Sequence, residues 1–230
     1  MNADVPKQYL QIQGKTILEH TVSKFAPLTN IAGILVLISE DDTYWVKIKD
    51  ALLVSCQSQG LRLVSCFGGS ERSETVLRGL AFLINEQKLN SEQWVMVHDA
   101  ARPCVREMDI IKLLASRSNP NTEGAILATP VKDTLKLADN NTDTILITQP
   151  RKDLWQAQTP QLFQLGALYD ALQKAKHAKV LITDEASAME YSNKFVQLVE
   201  GASDNIKLTT PADLHIIDYL LRNSEKKNEY

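Results

Sequence analysis

The chain has 230 residues, 44% of them hydrophobic and 23% charged, enough to bury the core of one large α/β domain. Its 25 Lys and Arg against 28 Asp and Glu leave a net charge of −3, which argues against nucleic-acid binding and supplies no polybasic membrane patch. The nine glycines fall below the roughly 7% that is usual, and no choice among them makes G-x-G-x-x-G or G-x-x-x-x-G-K-[ST], so both standard phosphate-cradling loops are missing from these residues.

Residues 1–15 read as a loop running straight into a helix. Thr16-Ile17-Leu18-Glu19 is a capping box, and Leu18, Val22 and Phe25 recur behind it at helical spacing. Ile31–Ile38 is apolar and β-branched, a buried strand. A helix over Tyr44–Val54, a strand over Leu61–Ser65, a helix over Ser73–Ile84 and a strand over Trp94–His98 follow. Then come a helix over Met108–Leu114 and a strand over Gly124–Thr129. Such alternation predicts a mostly parallel sheet covered on both faces.

The rhythm breaks at Val131–Arg151, a polar, weakly alternating stretch with an Asp139-Asn140-Asn141 turn, which reads as a hairpin leaving the sheet. Helical pattern resumes at Leu165–Ala175 and Glu185–Tyr191. Phe195–Glu200 reads as a strand, and Pro211–Leu221 as a closing helix with proline in its first turn. Asn223–Tyr230 is charged and is expected to fray.

Several activities lack their signatures. No apolar stretch approaches the roughly 18–20 residues of a membrane span, and the first residues carry no secretory pattern. Cys56, Cys66 and Cys104 are an odd set without C-x-x-C, as expected of reduced thiols in a cytoplasmic protein. Neither H-E-x-x-H nor G-x-S-x-G occurs.

Ligands of open α/β sheets bind beyond the carboxyl ends of the strands. Two such places stand out. Phe67-Gly68-Gly69-Ser70 precedes a helix, and its amides either bind an anion or form a plain tight turn. His98-Asp99-Ala100-Ala101-Arg102-Pro103 sets an acid and two small residues at a strand end. That leaves room for a sugar or a metal-bound phosphate, with Arg102 as a phosphate fork. The alternative is a buried turn in which Asp99 pairs with Arg102. His98 reads as structural rather than as a base. Lys7, Arg151 and Lys207 would each pass alone for surface charges. Thr183-Asp184-Glu185 reads as a helix start capped by Thr183.

Taken in order, these segments resemble one family, the bacterial-type 2-C-methyl-D-erythritol 4-phosphate cytidylyltransferases of non-mevalonate isoprenoid biosynthesis. The resemblance runs from Pro6-Lys7-Gln8-Tyr9-Leu10 through Gly68-Gly69, His98–Pro103 and Pro130-Val131-Lys132-Asp133-Thr134. It continues through Leu154-Trp155, Gln158-Thr159-Pro160-Gln161, Thr183–Ala188 and Asp204-Asn205-Ile206-Lys207. It implies a single Rossmann-like three-layer nucleotidyltransferase domain over 1–230. It also implies cytidylyl transfer from CTP to a polyol phosphate, Mg²⁺ as divalent cation, and a cytoplasmic homodimer joined through an arm at 131–153.

Carried over, Lys7 and Lys207 are implied to be catalytic. Lys7, Gly69, Ser70, Thr75, Asp99 and Ala100 are implied to hold the nucleotide, and Asp99 the metal. Asp99, Arg102, Thr134, Arg151, Thr159 and Lys207 are implied to hold the polyol phosphate, with Thr134 and Arg151 serving the neighbour's site. The family commonly has Asp where Ser70 stands and Ser where Thr75 stands. Ribitol 5-phosphate is the alternative acceptor, and a non-catalytic nucleotide-binding or dimerisation module the alternative from another class. One departure is large. The family opens on a strand and a P-A-A-G-x-G-x-R-M loop, and here Met1 falls where that motif ends. The expectation is a sheet short of one strand, and a chain that as written does not turn over.

Overall fold

The computed structural model describes residues 5–227. A 3-10 turn at Lys7–Tyr9 and the short strands β1 (Gln11–Ile12) and β2 (Lys15–Thr16) occupy the stretch expected to be loop; residues 1–4 lie outside the described residues. Then follow α1 (Ile17–Ser23), β3 (Gly33–Ile38), α2 (Trp45–Ser58), β4 (Arg62–Phe67), α3 (Arg72–Asn85), β5 (Trp94–Val97), α4 (Glu107–Ala115) and β6 (Gly124–Pro130). The hairpin strands β7 (Leu135–Ala138) and β8 (Ile145–Gln149) come next, and after them β9 (Trp155–Gln164), α5 (Leu165–His177), α6 (Glu185–Tyr191), β10 (Val196–Glu200) and α7 (Pro211–Lys227).

The capping box forms as expected: the Glu19 amide donates to Thr16 Oγ1 at 3.2 Å, and the Thr16 amide donates to Glu19 Oε2 at 2.7 Å. Three expectations need correction. β9 has no counterpart in the sequence reading, because four glutamines, a threonine and Pro160 break its apolar pattern. It is nonetheless a central antiparallel strand, with β5 on one side and β6 on the other. At α6 the cap is Asp184 rather than Thr183: its side chain accepts from the Ser187 amide at 2.9 Å. α7 runs on through Lys227, where fraying was expected from Asn223; residues 228–230 lie outside the described residues.

The main sheet is in two pieces. One is β3 paired in parallel with β4; the other has the order β10-β6-β9-β5. Among the described residues no ladder joins β3 to β5. Yet the same helices cover both. Leu18 and Val22 of α1 pack with Val36 of β3, while Phe25 and Leu28, just beyond α1, pack in the cluster that holds Ile34 of β3 with Trp94 and Met96 of β5. On the opposite face, Val76 and Leu80 of α3 pack with Val95 and Val97 of β5. A methyl group on Gly79 of the same helix would lie 2.9 Å from Leu37 of β3. The facing edges of β3 and β5 therefore have a helix above and a helix below, the surroundings of an interior strand rather than of a sheet margin.

Phe163, Leu168, Ala188 and Met189 form the fully buried centre of the core on the α3–α5–α6 face. Ile110, Leu113, Ala125 and Leu127 do so on the α4 face. Three layers result, with the carboxyl ends of β4, β5 and β6 opening to one side.

Candidate active site

Asp99 follows β5, and cations from four separate segments converge on it. Lys207 Nζ lies 3.0 Å from Asp99 Oδ2 and Arg102 Nε 3.1 Å from the same oxygen, while Arg72 Nε lies 3.7 Å from Oδ1. Burial alone would raise the Asp99 pKa, but the hydrogen bond and charge of Lys207, with Arg72 and Arg102, bring it down to about 2. Lys7 feels the same cluster: burial and the charges of Lys207 and Arg102 lower its pKa against the opposing pull of Asp99. A lysine loses its proton more readily there, yet the site as a whole stays rich in positive charge.

A buried polar scaffold holds this turn. The Asp99 amide donates to Thr159 Oγ1 at 3.0 Å, and Thr159 Oγ1 lies 3.0 Å from His98 Nδ1. His98 Nε2 lies 3.0 Å from the Arg102 carbonyl. A carbonyl only accepts, so Nε2 carries the proton, Nδ1 accepts from Thr159, and the ring is neutral. Burial, the largest influence, lowers its pKa to about 4, in keeping with that tautomer. His98 is therefore structural, as its sequence context suggested. Arg102 is fixed at its other end by donating from Nη1 to the Asn205 carbonyl at 2.7 Å, and Asn205 Nδ2 donates to the Thr159 carbonyl at 2.9 Å. Thus H-D-A-A-R-P, Q-T-P-Q and D-N-I-K, remote in sequence, are one hydrogen-bonded unit.

The other residues singled out from the sequence fall in three places. Thr159 is buried, with its hydroxyl shared between His98 and Asp99. Ala100 is exposed beside Asp99, its carbonyl accepting from Thr21. In the glycine turn, the Gly69 amide donates to Thr75 Oγ1 and the Ser70 amide to Glu74 Oε2, both at 3.0 Å. Those amides are capped by their own helix, which is the tight-turn alternative, with Ser70 exposed at its tip. Thr134 and Arg151 sit at the root of the hairpin, both exposed; Arg151 donates to the Lys132 carbonyl. Among the described residues no hydrogen bond or ion pair ties either of them to the Asp99 cluster.

Sequence reading missed Arg72 and Glu185. Arg72, in the first turn of α3, forks onto the fully buried Glu185 through Nη1 at 2.6 Å and Nη2 at 2.8 Å. A Thr-Asp-Glu helix start looks the same whether or not its glutamate is buried, so only the unexplained arginine beside the glycine turn carried a signal.

No group of three His, Cys, Asp or Glu gathers as a metal cage among the described residues. Asp99 can offer one carboxylate oxygen, which suits a cation held mainly by ligand phosphates, the usual habit of Mg²⁺. A crowd of cations about one ionised acid, at the strand ends of a three-layer α/β domain, has the chemistry that suits phosphoryl-bearing ligands, as in nucleotidyltransferases.

Comparison with known proteins narrows that class. Residues 1–223 match the family model of 2-C-methyl-D-erythritol 4-phosphate cytidylyltransferase, and the chain belongs to that family. It is 46% identical over 228 residues to the 2-C-methyl-D-erythritol 4-phosphate cytidylyltransferase of Vibrio vulnificus strain CMCP6, covering 99% of this chain and 92% of the relative. It is 44% identical over 214 residues to that of Pseudomonas putida strain GB-1, covering 93% and 87%. A crystal structure of a 4-diphosphocytidyl-2C-methyl-D-erythritol synthase superposes with a TM-score of 0.81 at 40% identity, over 94% of each chain. The 2-C-methyl-D-erythritol 4-phosphate cytidylyltransferase of Thermus thermophilus superposes with a TM-score of 0.74 at 28% identity, over 96% of each chain.

Proposed function

We propose that the Asp99 centre is where this chain, a CTP-dependent nucleotidyltransferase by family, joins CTP to 2-C-methyl-D-erythritol 4-phosphate. The products are 4-diphosphocytidyl-2-C-methyl-D-erythritol and pyrophosphate, a step of isoprenoid biosynthesis. The observation that carries the reading is the convergence of Lys7, Arg72, Arg102 and Lys207 on a single carboxylate.

The chemistry suits those groups. An oxygen of the substrate phosphate forms a bond to the α-phosphorus of CTP, and the bond from that phosphorus to the bridging oxygen breaks, releasing pyrophosphate. A phosphate monoester, with its second pKa of about 6, is already mostly ionised at neutral pH, so no strong base is required. The reaction asks instead for alignment and for cations facing the charge that gathers at the α-phosphorus. Lys7 and Lys207 supply those cations. Arg102, held by Asp99 and Asn205, receives the substrate phosphate. Asp99 accepts from a polyol or ribose hydroxyl, and Gly69, Ser70, Thr75 and Ala100 bound the nucleotide side. Thr159 keeps the Asp99 turn in place. A Mg²⁺ held by the triphosphate and Asp99 supplies Lewis-acid charge neutralisation when bound.

The hairpin β7–β8 joins two copies, bringing Thr134 and Arg151 to the neighbour's centre. In its support, Leu137, Ile145, Leu146 and Ile147 are 49–64% exposed, and a lone two-stranded hairpin is marginal in water. No helix among the described residues is long and apolar enough to cross a membrane, and the cytoplasm is the compartment that suits CTP and reduced thiols.

The test is pyrophosphate release from CTP, assayed with the polyol phosphate present and absent. Release that needs the polyol phosphate and disappears in Lys207→Ala supports the assignment. Folded protein that binds both ligands and releases none refutes it.

A further inference from the structure

The two oxygens of Asp99 are treated differently. Oδ2 takes both Lys207 and Arg102, at 3.0 and 3.1 Å. Oδ1 has Arg72 Nε as its neighbouring cation, and that nitrogen stands off at 3.7 Å, beyond hydrogen-bond distance. A guanidinium beside a carboxylate ordinarily closes to about 2.8 Å. Arg72 does not, and the reason is visible at its other nitrogens. Nη1 and Nη2 are both taken by Glu185, at 2.6 and 2.8 Å.

Glu185 is a rigid anchor. It has no exposed surface and stands in the first turn of α6. The N-cap beside it, Asp184, is locked by a capping box with Ser187 and by Gln161, whose Nε2 donates to Asp184 Oδ2 at 2.8 Å. Gln161 Oε1 in turn accepts from the Ala186 amide at 3.0 Å, and Gln161 lies on β9 beside Val97 of β5. The strand that leads to Asp99 and the helix that carries Glu185 are thus braced together.

We propose that Glu185 is a positioning residue that tethers Arg72. The guanidinium then stands beside Asp99 without closing on Oδ1, which stays open to a hydroxyl of the incoming polyol phosphate. A buried ion pair of this kind is weak as a stabilising device, since an apolar pair of equal volume does as well or better. Holding a guanidinium at a set distance is something an apolar pair cannot do.

The proposal rests on the assigned reaction, so one arm of the test is independent of turnover. In Glu185→Gln the fork is lost, because the amide nitrogen cannot accept. A ligand-free crystal structure of this variant is expected to show Arg72 moved onto Asp99 Oδ1. KM for methylerythritol phosphate is expected to rise about tenfold or more, while KM for CTP stays within about twofold. The double variant Glu185→Gln/Arg72→Met removes the intruding guanidinium, and its KM for the polyol phosphate is expected to fall about threefold or more below that of Glu185→Gln while staying above wild type, because the Arg72 charge is lost.

Arg72 unmoved in the Glu185→Gln structure overturns the tether. So does a double variant that folds and keeps the raised KM. If Glu185→Gln does not fold, a crystal structure of Glu185→Asp decides instead: Arg72 moved relative to Asp99 supports the tether, and Arg72 Nε unmoved at about 3.7 Å from Oδ1 overturns it. Arg72 closing on Asp99 in a chain whose wild type releases no pyrophosphate leaves the tether standing and the assigned reaction in error.

Discussion

The Asp99 centre and the β7–β8 hairpin meet their polar and apolar needs in opposite ways. At Asp99 each named partner finds another within the same chain: the acid has its cations, Arg72 has Glu185, and His98 has both a donor and an acceptor. Along the hairpin, Leu137 lies across from Ile147 on one face, and both are about half exposed. Lys136 reaches Thr148 on the other face at 2.6 Å. The first region is preorganised before any ligand arrives; the second has an apolar face that one chain does not cover. An electrostatic site gains from being set in advance, since no reorganisation is then needed during the reaction. An arm gains from being incomplete, since its unburied area is what a partner can cover.

Breaking the centre should have the larger effect. Lys207→Ala is expected to lower kcat by about 10²–10³, the usual consequence of removing one group that faces transition-state charge. Its thermal midpoint should stay within a few degrees, because the ammonium is partly exposed. Steady-state kinetics beside a melting curve checks both. A protein that unfolds on losing Lys207 would make the residue structural.

Mixing sharpens the comparison further. Arg151→Ala is expected to raise KM for the polyol phosphate by about tenfold or more, if the arm serves the neighbour. Refolding it with Lys207→Ala then yields hybrid dimers with one native centre, and recovery of about a quarter of wild-type activity is expected from a random two-fold pairing. No recovery on mixing would place both residues in one subunit's site. Ile145→Asp with Ile147→Asp should leave the melting curve of the chain nearly unchanged, while sedimentation shifts toward monomer as the dissociation constant rises about tenfold or more.

The last effect is in pH. His98 has its pKa lowered to about 4 by burial, so it is neutral when folded and binds a proton more readily when unfolded. Its contribution is fully present above the unfolded value of about 6.5 and is lost as pH falls from there toward 4, on the order of 3 kcal/mol in all. Denaturant titrations at several pH values should show that slope, flattened in His98→Asn. Asp99 acts lower still: with a folded pKa near 2, its contribution fades only as pH falls from about 3.9 toward that value.

Which parts were legible in the sequence follows from what a local pattern can carry. α1 was plain, because its capping box and apolar spacing lie within ten residues and need nothing remote. The H-D-A-A-R-P turn was found for a similar reason, as an acid at a strand end. β9 was missed, since its core position depends on strands that pair with it from 25 and more residues away, and its glutamines conceal that. Gln161 looks like a surface residue in sequence, but it is buried as the brace of α6. Arg72 and Glu185, 113 positions apart, are a pair that no short window contains. The two-piece sheet depends on the pairing of β3 with β4 and of β5 with β9, which no short window shows.

The most direct measurement is pyrophosphate release by the protein, using CTP with either methylerythritol phosphate or ribitol 5-phosphate as acceptor. Release in step with the CDP-linked product, faster with methylerythritol phosphate and lost in Lys207→Ala, is the expected result. Folded protein that binds both substrates without release, or that turns over ribitol 5-phosphate faster, would contradict the assignment.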